Sequence, residues 1–474
     1  MELYHRLDQI LGEFRSVFSR EATFRWFVLL IWGILLNTQP AAVTSYVNAL
    51  GLSEQVYGQA LHWFDSSAFR MKGLCRRWSQ WLSHHANVYL IKGQRVYVGD
   101  GIKVGKEGRK MPGVKRLHQE SADVSKPEWI RGHYFNALSL LLGAGTACFA
   151  VPLRLKLHDG FSTDSPPTTT QGTMKHRTTL VTKMAQLCTT YAEAGSYVVL
   201  DAYFACAPVL KRFRRHSLQL ISRVRSSTVA YASFSPVSTG RGRGRPRKWG
   251  SRVKLNTLFA PLDQCQQAQV WLYGQRTTVY YQCVQLHWDC PNTPLLFVLT
   301  QFANGQQLIL LSTDLSLSGP EVIAAYGLRF KIEVMFRTLV HLLGGFAYRF
   351  WLKALPPTPT WPTNLNLADY SQEMKAQIKG KVEAWERFIN LNAIALGLLQ
   401  VLALEFPSFI WSHFPRWLRT RPAHGYPSER IVQLTLQHQA EMIFAESPPT
   451  LLLPKFLTAK MPPADPPDLP SVAA

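Results

Sequence analysis

The chain has 474 residues, 47% of them hydrophobic, and a formal net charge of +22. That length allows two or three domains, and the charge favours a polyanionic partner such as nucleic acid or an anionic membrane surface. The longest apolar run, residues 26–36, is shorter than the roughly 20 residues of a membrane-spanning helix, and the first residues lack the layout of a signal peptide. We therefore predict a soluble protein that stays in the compartment where it is made, with its seven scattered cysteines reduced.

The first 85 residues show helical spacing of apolar side chains throughout. The last helical run of this region mixes cationic with aromatic side chains, namely Arg70, Lys72, Arg76 and Arg77 with Phe69, Trp78 and Trp81. Such a helix can lie along DNA phosphates. It can equally pack its aromatic side inward and keep a wet basic face, and both interpretations stay open.

Two acidic residues, Asp100 and Asp201, end strand-like apolar runs. Between them, residues 134–142 and 147–155 read as a hairpin, and residues 175–194 as a helix closed by a glycine. If the strands that end at Asp100 and Asp201 are parallel neighbours, both carboxylates lie at one end of the sheet, where open α/β sheets carry their sites.

Residues 202–262 contain no acidic residue but many cationic ones. The glycines and proline in the middle of this stretch preclude regular structure, and its cations would be expensive to bury. A solvated loop is one interpretation, and contact with nucleic acid is the favoured one. The predicted contacts are Arg241, Arg243, Arg245, Arg247 and Lys248. Residues 253–313 then read as short strands of an antiparallel β region.

A predicted helix begins near residue 325 and ends before the glycine pair at 344–345. Along one of its faces lie Tyr326, Arg329, Glu333 and Arg337, so that one carboxylate sits between two guanidinium groups. This could be a solvated face with a weak ion pair. A linker and a long helix, residues 371–404, follow, and the proline-rich tail is predicted to be disordered.

Asp100, Asp201 and Glu333 come from three distant elements, which is the arrangement that two divalent cations require. Two Mg²⁺ ions can activate an attacking oxygen, relieve charge on a phosphate and stabilise the leaving oxygen. Mg²⁺ prefers oxygen ligands, so carboxylates suit it. Arg329 and Tyr326 flank Glu333 and are candidates to bind a phosphate near the scissile bond.

The spacing Tyr326-x-x-Arg329-x-x-x-Glu333 resembles the signature of the DDE transposases of bacterial insertion sequences, in the group with a Tyr–Arg–Glu–Lys signature. The segments around Asp100 and Asp201, residues 242–250, 310–326 and 346–351 are similar to the same group, and the resemblance covers residues 90–400. It implies an RNase H-like catalytic core interrupted by a β-rich insertion, within an α/β (α+β overall) fold that has helical N-terminal and C-terminal regions.

In function, the resemblance implies cut-and-paste transposition of an insertion sequence with two Mg²⁺ ions, in whose place Mn²⁺ can act. It implies a homodimer on double-stranded DNA, which holds the terminal inverted repeats and the target, and a hairpin on the transposon end. It also implies a bacterial cytoplasmic, nucleoid-associated location. The signature lysine falls at position 340, where this chain has Val340, and the neighbouring Arg337 or His341 can take its role in contacting DNA.

The expected organisation has six parts. Residues 1–85 form a helical region that binds the DNA ends, and 86–225 the first part of the core with Asp100 and Asp201. Residues 226–317 form the basic loop and β-rich insertion, 318–352 the core helix with Glu333, 353–446 a helical region and 447–474 the tail. The rival hypotheses are an RNase H-like nuclease or resolvase without strand transfer, a decayed DNA-binding element protein, and a membrane-surface protein that would leave the three acids unexplained.

Overall fold

The computed structural model describes residues 2–119, 127–145, 147–161, 179–233, 249–288, 293–362, 364–417, 425–446 and 450–460. Its helices are α1 Glu2–Gly12, α2 Glu21–Leu36, α3 Val43–Asn48, α4 Tyr57–Asp65, α5 Met71–His85, α6 Leu180–Tyr191, α7 Ala207–Arg215, α8 Gly319–Gly327, α9 Phe330–His341, α10 Gln372–Glu405, α11 Pro407–His413, α12 Glu429–Glu446 and α13 Leu452–Thr458. Its strands are β1 Leu90–Ile91, β2 Gln94–Gly105, β3 Lys115–His118, β4 Trp129–Ala144, β5 Ala147–Leu157, β6 Tyr197–Leu200, β7 Gln219–Val224, β8 Val229–Tyr231, β9 Arg252–Lys254, β10 Gln266–Leu272, β11 Gln275–Leu286, β12 Leu295–Phe302 and β13 Gln307–Ser312.

The first five helices, α1 to α5, form the N-terminal part of the molecule. In α5 the aromatic side is buried, with Trp78 and Trp81 at 0% and 3% exposure. The indole N–H of Trp78 donates to the carbonyl of Pro152 in β5, so this side of the helix packs on the sheet. The cationic residues Lys72 and Arg76 are exposed. The aromatic side of α5 is therefore core, and only its basic face is free to meet a partner.

A large mixed sheet organises the rest of the chain. β4 pairs antiparallel with both β2 and β5, while β6 runs parallel to β2 and β7 parallel to β6. The order β5-β4-β2-β6-β7, with α6 and α7 in the crossovers to the parallel strands, is the arrangement expected of an RNase H-like core. The predicted fold class is confirmed.

The sheet carries helices on both faces. A side chain at Gly99 of β2 would meet Met184 of α6 at 3.4 Å, whereas the next residue, Asp100, bonds to Arg329 beside α9. Successive side chains on a strand point to opposite faces, so α6 and α9 lie on opposite sides of β2. A side chain at Gly99 would also lie only 2.6 Å from Leu200, so glycine allows the close approach of β2 and β6.

The β-rich region is continuous with the core sheet. β10 to β13 form an antiparallel meander, and β13 pairs with the core strand β7 from Ile309↔Val224 to Ser312↔Ile221. Only β8 and β9 form a separate two-stranded sheet in the part of the chain that the structure describes. The meander is therefore anchored rigidly to the strand that follows Asp201.

Helix α10 is the central core helix. Ser371 caps its N-terminus by accepting a hydrogen bond from the Met374 amide. It is long and apolar enough to cross a membrane, but 89% of its apolar window is buried inside the protein, as in the core helix of a soluble protein. It packs on β5, α2, α4 and α12.

The predicted disorder of the tail is wrong for the residues around α13. Leu453, Phe456 and Leu457 are buried, and Phe456 packs edge-on against Phe24 of α2. These apolar side chains recur at helical spacing after the prolines and cover α2, which explains the order. The tail beyond residue 460 lies outside the described residues.

Cationic side chains next to β2 and β4 hold the segment that follows α9. The Lys106 ammonium donates to the carbonyl of Phe346 at 2.7 Å, and Arg109 and Arg131 both bond to Thr358. The ammonium of Lys110 donates to the carbonyl of Lys353 at 3.0 Å. These cations of the loop after Asp100 therefore serve the fold.

Candidate active site

Asp100 and Asp201 lie side by side where the parallel pairing of β2 with β6 ends. The parallel register of β2 and β6 ends with Gly99 opposite Leu200, so the two aspartates are the next residues along. β2 continues past Asp100 to Gly105, whereas β6 ends and Asp201 begins a short 3-10 turn over Ala202–Phe204. The sheet thus brings both acids together, as the sequence predicts. The prediction that the first strand ends at Asp100 is wrong, because β4 continues to pair with β2 as far as Gly105.

The helix that carries Glu333 is interrupted, so the prediction of one continuous helix is wrong. α8 begins at Gly319 with a Ser318–Glu321 capping box, and α9 begins at Phe330. Between them the amides of Arg329 and Ile332 donate to carbonyls three residues back, at 3.0 and 3.1 Å. These are 3-10 bonds, which tighten the turn.

Gly327 shows why the chain is tight at the interruption. A side chain there would lie 2.7 Å from the Cδ2 methyl of Leu272 at the end of β10, so glycine lets α8 pack against this leucine without displacing it. The approach explains a residue that otherwise costs a helix roughly 1 kcal/mol.

Arg329 links two of the three acids. One terminal nitrogen of its guanidinium donates to Asp100 Oδ2 at 2.7 Å and the other to Glu333 Oε1 at 2.6 Å. Its side chain is 17% exposed, against 22% for Asp100 and 44% for Glu333. The guanidinium also lies over the ring of Tyr326, 6.0 Å from its centroid. Asp201 makes no side-chain hydrogen bond or ion pair with the residues that the structure describes.

Burial raises the pKa of Asp100 to about 6, and nearby Asp201 and Glu333 act in the same direction. The Arg329 guanidinium and the Gly101 amide, which donates to Asp100 Oδ1 at 2.7 Å, lower the pKa but do not offset burial. Arg329 itself has a raised pKa, because all three acids attract its charge. The single positive charge of Arg329 therefore only partly compensates the three carboxylates, and the cluster retains an excess of negative charge.

A pocket of about 370 Å³ opens beside the acids. Its walls include Asp201 and Glu333 together with Arg223 of β7, Tyr273 in the β10–β11 turn and Phe330 of α9. Sequence reasoning missed the last three of these. The turn at Tyr273-Gly274 is visible in the sequence, but only the pairing of the meander with β7 brings it to Asp201.

The remaining predicted residues on α9 face outward. Arg337, Val340 and His341 are exposed, Val340 to 37%, while the other side of the helix buries Ile332 and Leu339. Position 340 therefore lies on the surface, where a lysine would reach solvent or a partner.

The predicted basic contacts at Arg241, Arg243, Arg245, Arg247 and Lys248 lie outside the described residues. The chain leaves and re-enters the described part beside β8 and β9. There Trp249 stacks on Tyr231 with ring centroids 5.6 Å apart.

The donor set of the three carboxylates fits a divalent cation that prefers oxygen. Within the described part of the chain, Asp201 makes no side-chain hydrogen bond or ion pair, and the charge of Asp100 is only partly compensated. Their present spacing does not yet form an ion site. Over the described ranges, no group of three His, Cys, Asp or Glu side chains is placed to hold a metal ion. The guanidinium of Arg329 stands between two of the three acids instead.

The sequence model of the family described as "DDE superfamily endonuclease" matches residues 13–285, more than half of the chain. The match includes Asp100 and Asp201 and stops before Glu333. No protein of curated function matches the sequence at a significant level. A match to the cryo-EM structure of the piggyBac transposase synaptic complex with hairpin DNA has 14% identity and a TM-score of 0.34, over 98% of this chain and 84% of that chain. At that TM-score the likeness carries no argument.

Proposed function

Because the chain belongs to the DDE superfamily endonuclease family, we propose that it is a DNA transposase that cuts and joins DNA with two divalent metal ions. The observation that supports this most is the meeting of Asp100, Asp201 and Glu333 around Arg329. Three carboxylates that share the charge of Arg329 make a site that attracts further cations.

In this proposal Asp100, Asp201 and Glu333 hold the metal, which is Mg²⁺ or Mn²⁺. When bound, the metal would lower the pKa of an attacking water and stabilise the leaving oxygen. The raised pKa of Asp100 fits this role, because a buried carboxylate with too little positive charge around it gains most from a cation.

The cationic groups of the pocket would bind the scissile phosphate. Arg329 and Tyr326 lie beside Glu333, and Arg223 reaches the pocket from β7. Farther along α9, Arg337 and His341 are exposed and would contact the DNA backbone, as would the basic loop that contains Arg241. Phosphate contacts of this kind position DNA without reading its sequence.

The proposed reaction has two steps. A water first cuts one strand at the end of the element and frees a 3′ hydroxyl, which then attacks a phosphodiester of the target. Both ends must be held together, so a homodimer acts on the terminal inverted repeats, with the helical region of residues 1–85 contacting the ends. The proposed location is the bacterial cytoplasm, on the nucleoid.

The test combines the purified chain with Mg²⁺ and a labelled duplex that carries the DNA flanking its own gene. Cleavage at the repeat and joining of the freed 3′ end to a plasmid are the expected products. Cleavage without joining would indicate a nuclease, and failure to cleave would contradict the proposal. The control is Asp201→Asn, which keeps the shape of the side chain. We expect it to lose at least about a thousandfold in rate while duplex binding and thermal stability stay within experimental error, since the carboxylate serves the metal.

A further inference from the structure

Arg329 lies among three carboxylates that we propose to be metal ligands, and a metal site does not require an arginine in that position. It reaches Asp100, 229 positions away in the sequence, and Glu333, four positions away, with different nitrogens of the same guanidinium. Its side chain is more enclosed than either carboxylate. Arginine thus occupies the centre of the acid cluster, where a cation is required.

The bonds of Arg329 occupy Asp100 Oδ2 and Glu333 Oε1, so these two oxygens cannot share a metal ion at the same time. Two oxygens that share one octahedral Mg²⁺ at 2.0–2.1 Å lie roughly 3 Å apart. A guanidinium that bonds to each carboxylate through a separate nitrogen stands between them and keeps the acids from closing on an ion. The absence of any three-ligand group among the described residues agrees with this. For Asp100 Oδ2 and Glu333 Oε1 to share a metal, Arg329 must leave.

The place to which Arg329 can move is beside it. The pocket that adjoins the acids is also lined by Tyr326 and Arg223, so a phosphate there would meet a second guanidinium. Guanidinium binds phosphate as readily as carboxylate, often through two nitrogens. The phosphate of bound DNA therefore offers Arg329 a replacement for the carboxylates that it gives up.

We infer that Arg329 fills the place of the metal in the DNA-free protein and passes to the DNA phosphate when the metal enters. Metal and DNA then bind cooperatively, because each removes the obstacle to the other. Reciprocity requires that the metal tighten DNA binding by the same factor by which DNA tightens metal binding. The inference rests on the proposed function, since it takes the acids as metal ligands and DNA as the substrate.

The first experiment measures Mn²⁺ affinity without DNA, by electron paramagnetic resonance of free Mn²⁺. Arg329→Ala removes the competing cation, and we expect it to tighten Mn²⁺ binding on the order of tenfold, the equivalent of one charge-assisted hydrogen bond. The matched control is Arg223→Ala, which removes a cation from the same pocket. Among the described residues, Arg223 makes no ion pair with the three acids. We expect less than a twofold change for that control.

If Arg329→Ala destabilises the fold, Arg329→Gln replaces it, because glutamine fills much of the same space without the charge. Thermal melting gives a second readout on the same samples. Mn²⁺ should raise the melting temperature of the Arg329 variant by more than that of the wild type, because tighter binding to the folded state stabilises it more.

The second experiment measures affinity for a fluorescein-labelled 30-base-pair duplex of arbitrary sequence, with and without Mg²⁺ at matched ionic strength. Mg²⁺ should tighten duplex binding by the wild type several-fold more than it tightens duplex binding by the Arg329→Ala variant. An equal effect of Mg²⁺ on both proteins would overturn the inference.

The outcomes separate this inference from the proposed function. The inference would be overturned if Arg329→Ala left Mn²⁺ affinity unchanged, or if Arg223→Ala tightened Mn²⁺ binding as much as Arg329→Ala does. Neither result would contradict the proposed function. Mn²⁺ binding that survives in the Asp100→Asn and Asp201→Asn variants would overturn the assignment of the metal ligands and with it the inference.

Discussion

Two ion clusters join the sheet to a helix in this protein, and their charges are matched differently. Arg154 of β5 and Glu386 of α10 form a pair whose side chains are 6% and 7% exposed. The same carboxylate accepts the Leu157 amide at 3.1 Å and lies 3.6 Å from Lys156. In the pocket, one guanidinium serves two carboxylates and a third, Asp201, has no partner within the described ranges.

The difference teaches how to recognise a functional cluster among ordinary ion pairs. Around Glu386 the positive charge and the hydrogen-bond donors suffice, so the cluster can remain buried without help from outside the chain. Around Arg329 the acids outnumber the cation, so the ionised form of Asp100 is disfavoured and its pKa is raised. A strongly perturbed pKa beside a partly open pocket is typical of a functional site.

The largest expected effect concerns the matched cluster. Glu386→Gln leaves Arg154 buried without a counter-charge, and we expect the free energy of unfolding to fall by about 3–5 kcal/mol. Urea denaturation followed by circular dichroism measures it. The control is Glu21→Gln, whose carboxylate is 43% exposed and pairs with Arg15, which is 44% exposed. It should cost less than about 1 kcal/mol, and similar losses for both variants would remove the distinction between the clusters.

The unmatched cluster should respond with the opposite sign. Because the folded-state pKa of Asp100 is raised from 3.8 to about 6, its ionised form opposes folding above that pH. Without metal, Asp100→Asn should therefore stabilise the protein by about 3 kcal/mol at pH 8, and by progressively less as the pH falls below 6 towards 4. Urea unfolding of the wild type and the variant in a chelating buffer, at pH 8 and again near pH 4, tests this. Destabilisation at pH 8 would mean that the bond to Arg329 outweighs burial.

His133 provides a neutral buried group for comparison. It is fully buried, donates to the Pro112 carbonyl at 3.0 Å and accepts from the Tyr348 hydroxyl at 2.6 Å. Burial lowers the pKa of His133 from 6.5 to about 3, so the unfolded chain binds a proton below pH 6.5 that the folded one does not. Between pH 6.5 and about 3, this group should lower the free energy of unfolding by about 1.4 kcal/mol for each unit by which the pH falls.

Substituting His133→Gln isolates the contribution of the histidine. Between pH 7.5 and 5 the wild type should lose about 2 kcal/mol more than the variant, by urea denaturation. Equal losses would assign the acid sensitivity to other groups.

The smallest expected effect concerns position 340, two turns beyond Glu333 on the exposed side of α9. Val340→Lys adds a cation to a surface that we propose faces DNA, and should tighten binding to a labelled duplex by up to about 1–2 kcal/mol. Since Val340 is already 37% exposed, the fold should remain intact. His341→Ala measured beside it shows whether the histidine has taken the role. If only the histidine variant changes affinity, by weakening it, the contact has moved to His341.

The sequence by itself determined the elements and the faces on which the key side chains lie. The apolar runs before Asp100 and Asp201 specify buried strands, whatever their neighbours are. The local pattern does not show that the first of these strands continues to Gly105. The helical spacing of Ile332, Phe336 and Leu339 likewise places Glu333 on the opposite, open side of α9. These conclusions depend on residues within a few positions of one another, so local pattern suffices.

Only the tertiary structure decided which groups meet. The partner of Asp100 is Arg329, because strand order and the turn between α8 and α9 bring them together across the sheet. Lys106 holds a backbone carbonyl at residue 346, although its charge alone suggests a phosphate contact. Such partnerships form between segments hundreds of residues apart, and their energies depend on burial and on competing charges. Neither the burial of a group nor the charges that compete for it can be predicted from the local sequence.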